Sequence, residues 1–591
     1  MNLNSFTSLI TNLWKHMTRR RKIQFLLLLV MIALGSVAEM FSIGAVVPFI
    51  SALVNPEKVF SHPLSQPIIS ALDLQHPKQI IVPLTIVFCI FAVVAGIFRI
   101  LLLYASTRFS FSVGADLSID VYRRTMYQPY IVHVSRNSSE IINGITGKIA
   151  MLISSILTPF LNLISSMSIL TGIFVTLIAI DPIIAITSGA SIGAIYVAVA
   201  FTFKRHLREN SECIARESTR VIQALQEGLG GIRDVLIDGT QDAYCDVYRN
   251  ADRPLRLAQA RNTFASTSPR YFMEMLGMIV IATLAASMTQ SQSGGISDAL
   301  PVLGALALGA QRLLPLLQQV YNAYATIVGA EASLRDALAL LNQPIPEYAD
   351  HSHSTTIKFD KRILLENVGF QYGNNNLWAV RGININIPKG SKVGFIGETG
   401  AGKSTLIDLI MALLSPTEGE IFIDDQAITQ ENFRSWQSRL AHVPQSIFLS
   451  DTTIAENIAF GTPQDKIDMN RVREAAKKAQ IASVIEALPR QYSTVVGERG
   501  VRLSGGQRQR VGIARALYKK ADTIILDEAT SALDSVTERA VMDAIENLGN
   551  GITILIIAHR TTTLRNCDFI ISMQPNGTCR KIRYQDLETT Q

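Results

Sequence analysis

Apolar residues crowd into the first 340 positions of this 591-residue chain, and that crowding limits what it can fold into more than any other feature. Six stretches, at about 23–53, 80–106, 149–180, 183–203, 271–289 and 301–325, each hold near twenty apolar residues, the length a helix needs to cross a bilayer. Arg312 and Pro315 interrupt the sixth, and Asp181-Pro182 makes a tight turn between the third and fourth. Hydrophobic residues are 48% of the chain and charged residues 17%, which is apolar for a soluble protein. The length exceeds one ordinary domain. An all-α, six-helix transmembrane domain is therefore expected over 1–340, a polar linker over 341–356, and a soluble domain over 357–591.

The polar segments between the spans orient them. Segment 204–270 carries Lys204, Arg205, Arg208, Arg216, Arg220, Arg233, Arg249, Arg253, Arg256 and Arg261, and 107–148 is also rich in arginine. The loops near 55–79 and 290–300 hold only Lys58 and Lys78. The positive-inside rule puts both termini and the two long segments in the cytosol. The net charge of +6 and pI of about 9 are then loop charge, and no nucleic-acid partner is implied. Cys89, Cys213, Cys245, Cys567 and Cys579 form no CxxC pair and read as reduced thiols, without a disulfide framework or metal site.

Phe6, Leu9, Ile10, Leu13, Trp14 and Met17 share one helical face, so residues 5–17 are expected as an interfacial amphipathic helix ahead of Arg19-Arg20-Arg21-Lys22. A signal peptide is the rival, with Ser36-Val37-Ala38 as cleavage site, but the apolar run continues from Ile23 to Val54, too long for a signal core. Helical periodicity over 208–227 extends the fourth and fifth spans beyond the membrane. Gly228-Leu229-Gly230-Gly231 permits a sharp reversal, either a contact for a second domain or a surface turn. Phe60, Leu64, Ile68 and Leu72 make the outer loop either a short amphipathic helix or a packed loop. Four charges fall within or beside spans: Glu39, Arg99, Arg270 and Arg312. Ionisable groups at such depth face a cavity or a partner. For Arg99 and Arg270, snorkelling to a span end is the competing explanation.

The second domain opens on short alternating strands and helices from Ile357, an α/β pattern. Gly397-Glu398-Thr399-Gly400-Ala401-Gly402-Lys403-Ser404-Thr405 is a Gly, four residues, then Gly-Lys-Ser. Val393–Ile396 before it reads as a strand and Leu406–Leu414 after it as a helix, the context a phosphate-binding loop requires. Glycines let backbone N–H groups curl around phosphate, and the helix N-terminus adds partial positive charge. Lys403 reaches the β- and γ-phosphates and Ser404 holds Mg²⁺. Tyr372 is placed to stack on a base or to sit in the core. Thr523–Leu526 is a buried strand ending in Asp527, placed to assist Mg²⁺, and Glu528, placed as a general base to orient water. Gln445, Leu503-Ser504-Gly505-Gly506-Gln507, Ser531-Ala532-Leu533-Asp534 and His559 complete the series.

In that order and spacing these motifs resemble the ATP-binding cassette family, and Leu503–Gln507 is the most specific of them. Thr494–Gly500 is similar to the extra loop of the family's exporters, and six spans ahead of one cassette match an exporter half-transporter. The resemblance implies a type I exporter fold and carries roles onto matching positions. Tyr372 would stack on adenine. Gly397, Glu398, Thr399, Gly400, Ala401, Gly402, Lys403, Ser404 and Thr405 would bind ATP. Ser404, Gln445 and Asp527 would hold Mg²⁺. Glu528 would be the base and His559 would contact the γ-phosphate. Ser504, Gly505, Gly506 and Gln507 would bind ATP held by the other cassette, which implies a homodimer, with a heterodimer still open. The protein would lie in the inner (plasma) membrane, with cassette and termini cytoplasmic.

Val47–Ile50, Ser268-Pro269-Arg270-Tyr271, Arg312-Leu313-Leu314-Pro315 and Arg99 look like the PglK-type flippases of lipid-linked oligosaccharides and related polysaccharide exporters. Arginines suit a pyrophosphate, which they bind bidentately. Arg99, Arg270, Arg312 and Glu39 are the candidate substrate residues. Where that group carries a further arginine this chain has Gln318 and Gln319. The expected function is ATP-driven flipping or export of a lipid-linked oligosaccharide or similar polyprenyl-pyrophosphate glycan. The alternatives are an exporter of drugs, lipids or peptides, and an ATP-gated channel, which the intact Glu528 disfavours.

Overall fold

The computed structural model describes residues 6–180, 182–291, 313–349, 356–373, 377–529, 533–546, 551–558 and 560–588. Arg312, Ser531, Ala532 and His559, all singled out above, lie outside them, as do residues 292–300 of the loop expected near 290–300. The chain divides into two compact units, one of residues 1–128 and 135–345, the other of 129–134 and 346–591. Residues 129–134, Pro-Tyr-Ile-Val-His-Val, are a short apolar run within the polar segment 107–148.

The first unit is helical. The first apolar stretch forms two helices, Arg19–Gly44 and Val46–Val54, rather than one. Pro48 explains the break: its ring would clash with the carbonyl four residues back, at Gly44, and it is tolerated in the first turn of the new helix. Helix Ile81–Met126 follows. At ~1.5 Å per residue its 46 residues run roughly 70 Å, more than twice a bilayer's hydrocarbon thickness. The third stretch is helical from Ser138 to Ile180, with π turns at Gly144–Lys148 and Ile153–Leu157. The fourth and fifth lie on helices Pro182–Gly230 and Gln241–Ser291, which continue far past the apolar residues. The described part of the sixth is helical over 313–328, and helix Glu331–Leu341 follows. By length and apolarity alone, three helical runs among the described residues qualify as spans: Arg19–Ser42, Pro77–Met126 and Ser138–Thr176.

Three local features take definite form. Helix Phe6–His16 has the expected amphipathic pattern, but Leu9 and Leu13, with Met17 just beyond, are buried with Phe109, Leu334 and Leu338. Half of its apolar face is therefore packed on protein, while Trp14 stays 37% exposed. The outer loop is a set of short turns of helix, Pro56–Phe60, Gln66–Ala71 and Pro77–Ile80, in which Phe60, Ile69 and Leu74 pack on Ala52, Ile80 and Leu84. It is a packed loop. The reversal after Gly230 uses no left-handed glycine, since Gly231 caps the short helix Ile232–Ile237 at φ −97°. The left-handed residue is Gly239, φ +64°, at that helix's other end.

The second unit has two sheets. The first is antiparallel, in the order β2 (Trp378–Pro388), β1 (Arg362–Gln371), β4 (Glu418–Ile423), β5 (Gln426–Ala427). The second is ordered β10 (Cys579–Ile582), β9 (Phe569–Met573), β3 (Lys392–Gly397), β8 (Thr553–Ile557), β7 (Thr523–Asp527), β6 (Leu440–Val443), parallel except for β10. Its strands are near-continuous apolar runs, as a sheet covered on both faces requires. Ligands of such sheets bind beyond the carboxyl ends of the strands. That edge is where β3 delivers the phosphate loop, β7 delivers Asp527 and β6 leads to Gln445.

Candidate functional site

Two glycines shape the phosphate loop. Gly397, at φ +149°, would place a Cβ 2.7 Å from the Met573 carbonyl oxygen, and Gly402, at φ +90°, would drive one into that of Ala379. No larger residue fits either position. Gly402 precedes helix Lys403–Ile410, so the loop's N–H groups and the start of the helix sit together. Lys403 is only 9% exposed, and its Nζ donates to the carbonyls of Gly397 at 2.7 Å and Glu398 at 2.9 Å. Two of its three donors thus anchor it to its own loop. Ser404 is exposed beside it. Thr405 is buried, its Oγ1 3.2 Å from the Tyr372 hydroxyl. Tyr372 meets Phe370 edge-on at 4.9 Å and stays 42% exposed, so it is tethered to the loop's helix without being a core residue.

β7 ends at Asp527, in register with Ile557 of β8. The next residue, Glu528, is left-handed at φ +47°, a cost of about 1 kcal/mol for a side chain with Cβ. Its N–H is held by the Ile557 carbonyl at 3.0 Å, and Gln445 Nε2 donates to its Oε2 at 2.7 Å. Strain of this kind concentrates where a side chain must be presented for function. Asp408 was not anticipated. It lies five residues after Lys403, and burial, followed by the nearby charge of Asp527, pushes its carboxyl up to about 6.

Ser504 caps helix Gly505–Lys519. Its Oγ accepts from the Gln507 N–H at 3.3 Å, while Gln507 Oε1 accepts from the Ser504 N–H at 2.9 Å, a reciprocal capping box. Ser504 stays exposed at a positive helix end. No hydrogen bond among the described residues joins Leu503–Gln507 to the phosphate loop. Asp534 caps the following helix through the N–H groups of Val536 and Thr537, at 3.2 and 3.0 Å.

The first unit holds a second site. A cavity of about 610 Å³ brings together Arg99 from helix Ile81–Met126 and Arg270 from helix Gln241–Ser291. Tyr196, Gln318, Gln319 and Ser166 also line it. Arg99 Nη2 meets Glu39 Oε1 at 2.6 Å, and the Glu39 carboxylate is 2% exposed against 51% for the Arg99 side chain. Glu39 therefore sits behind the arginine. Arg270 Nε pairs with Glu274 Oε1 at 2.8 Å, one helical turn on. Each of these two arginines has its own carboxylate. The i,i+4 spacing of Arg270 and Glu274 was a readable signal. Gln319 accepts from Ser166 Oγ at 2.9 Å. Among the described residues no group of three His, Cys, Asp or Glu side chains could hold a metal on its own.

A phosphate loop, an acidic strand end and a glutamate beside it, joined in one chain to a bundle of membrane-length helices, define an ATP-driven membrane transporter. The family pattern "ABC transporter" matches residues 380–531, and "ABC transporter transmembrane region" matches 23–303. The chain is 30% identical to an ATP-dependent lipid A-core flippase of Cupriavidus pinatubonensis over 81% of each chain. It is 34% identical to that of Chromohalobacter salexigens over 73% of this chain and 72% of that one. A solved structure of a bacterial Atm1-family ABC exporter with ATP bound overlays with a TM-score of 0.77 at 24% identity, covering 97% of this chain and 96% of the other, and so shares its fold. The chain belongs to the ABC transporter family, as a half-transporter with the type I exporter fold. It is an integral membrane protein that binds nucleotide and couples ATP hydrolysis to transport.

Proposed function

We propose that this protein flips a lipid-linked oligosaccharide, or a similar polyprenyl-pyrophosphate glycan, across the inner membrane as a homodimer with its cassettes in the cytoplasm. The supporting observation is the convergence of Arg99 and Arg270 on one cavity whose other polar groups are largely hydroxyls and amides. Guanidinium groups match pyrophosphate oxygens in pairs, and the exposed edge of Arg99 faces away from its carboxylate. The carboxylates behind them weaken that grip, which suits a substrate that must be released. Glu39 is a positioning residue for Arg99.

In the cassette, Lys403 and the loop N–H groups bind the phosphates, and Tyr372 stacks on the base. Glu528 takes a proton from the attacking water while Gln445 fixes its carboxylate. The donors around Ser404, Asp527 and Gln445 are hard oxygens, and with phosphate oxygens they fit Mg²⁺. Bound there, Mg²⁺ would neutralise phosphate charge. Ser504, at its exposed helix end, closes on ATP held by the partner.

Translocation of a polyprenyl-pyrophosphate glycan into reconstituted vesicles tests the substrate. Arg99→Ala and Arg270→Ala are each expected to cut flipping at least tenfold, and lysine at either position to restore it only in part, lacking the planar fork. Unchanged flipping in the double alanine variant overturns the reading.

A further inference from the structure

Arg99 and Arg270 are the charged side chains among the described residues that line the membrane cavity, and their carboxylates hold them in different ways. Arg99 and Glu39 come from different helices, and the Glu39 carboxylate is 2% exposed. A carboxylate that deep gives up its cation only at high cost. Arg99 therefore keeps Glu39 whatever enters the cavity. Arg270 and Glu274 stand one turn apart on one helix, with side chains 56% and 40% exposed. An exposed pair at this spacing is weak and parts readily.

Glu274 also has a second group within reach. The Gln318 side chain, on the helical run 313–328, lies against the same carboxylate. Tyr196, on helix Pro182–Gly230, is near enough to feel its charge. An amide N–H donates, so Gln318 can hold the carboxylate when the guanidinium is taken. With both pairs made, the two arginine charges are matched one for one. An entering anion meets an unmatched charge only where a pair opens, and the pair that opens is Arg270–Glu274.

We propose that Glu274 is an exchangeable counter-ion: the anionic group of the transported lipid displaces it from Arg270, Gln318 receives it, and its return to Arg270 releases the lipid. Arg99 with Glu39 is the fixed half of the site, and Arg270 with Glu274 the exchanging half. This rests on the preceding reading of the cavity, in which the arginines hold that anionic group. Glu274 acts through Arg270 and is a positioning residue.

Full-length protein in nanodiscs and vesicles tests this, with polyprenyl diphosphate carrying one N-acetylglucosamine as the probe. Two quantities are read: the lipid concentration that half-saturates stimulation of ATP hydrolysis, and the maximal rate of flipping. Glu274→Gln keeps size and hydrogen bonding and removes the competing charge. It is expected to lower the half-saturating concentration about fivefold, the upper range for an exposed ion pair, and to slow maximal flipping. A residue that only braced its helix would weaken binding or change neither quantity. The gain is expected to vanish without the guanidinium, so Arg270→Ala and the double variant Glu274→Gln, Arg270→Ala should respond alike. Gln318→Leu is expected to raise the half-saturating concentration, and to have no such effect beside Glu274→Gln. An unchanged or raised value in Glu274→Gln, a gain that survives without Arg270, or tighter binding without slower flipping overturns the exchange. An unchanged value in Gln318→Leu overturns the part given to Gln318. Arg270→Ala separates this proposal from the one it rests on. Weakened binding there leaves the reading of the cavity standing, whereas wild-type half-saturation there, or no response to the probe in the unaltered protein, overturns that reading.

Discussion

At the scale of the residue, Glu528 carries the strongest expectation. Its backbone is held left-handed and its carboxylate accepts from Gln445, at the strand end where the base is proposed to act. Glu528→Gln keeps shape and hydrogen bonding and removes the base. ATP is expected to bind as before while hydrolysis falls by roughly 100-fold or more, with nucleotide trapped. Phosphate release measured beside nucleotide retention checks this, and near-normal release refutes it. Residues like this were legible because their chemistry is local: a lysine after a glycine pattern, or a Glu after an apolar strand, needs no knowledge of the fold. Tyr196 was not legible. It sits in an apolar stretch like any membrane tyrosine, and only the packing of helix Gln241–Ser291 and of the helical run 313–328 against it sets it apart. Arg270 was found without Glu274 because a charge inside a span drew attention before its neighbour one turn on.

At the scale of the element, the phosphate-loop helix bears a cost. Asp408 lies on it, and burial, reinforced by Asp527, lifts its pKa from 3.8 to about 6. The unfolded chain releases that proton near 3.8, so between these values the native cassette binds more protons than the unfolded one. Stability contributed here is present at low pH, is lost as pH rises from about 4 to about 6, and stays lost above. The full shift corresponds to about 3 kcal/mol, and because the group keeps part of its solvent about half of that is expected. Asp408→Asn should therefore raise the cassette's melting temperature by several degrees at pH 7.5, with the gain shrinking towards pH 5. A gain of the same size at both pH values excludes the titration. The sequence conveyed this helix's existence and approximate length but set it three to four residues late, at Leu406–Leu414 rather than Lys403–Ile410. Elements whose ends depend on tertiary context were harder: the first apolar stretch was read as one helix because Pro48 was weighed as a motif residue rather than as a helix start. The outer loop's fourfold spacing likewise left a single helix and a packed loop equally open, and the packing on Ala52, Ile80 and Leu84 decides for the loop.

At the scale of the whole molecule, one chain carries one phosphate loop and one Leu-Ser-Gly-Gly-Gln helix start, with no hydrogen bond among the described residues between them. If two chains share each ATP, a mixed dimer of Lys403→Ala and Ser504→Arg protomers has one doubly damaged site and one intact site. Co-expressed with separate tags and purified as the mixed species, it is expected to recover hydrolysis above either homodimer. Activity no higher than the weaker parent's would rule out the shared arrangement. The long helices set how such events are conveyed. Pro182–Gly230 and Gln241–Ser291, 49 and 51 residues, are shafts of roughly 75 Å, on which a tilt of about 5° swings one end by about 6 Å. They brace each other through Ile214, Val221, Leu255 and Ala258 and through the Asn210–Asn262 hydrogen bond of 2.9 Å. Only the second contains interior prolines, Pro254 and Pro269, each removing one rung from its hydrogen-bond ladder. Torque applied to that shaft is taken up first at those two joints. Pro269 adjoins Arg270, so the place where the shaft yields most easily lies beside the residue proposed above to hold the transported lipid.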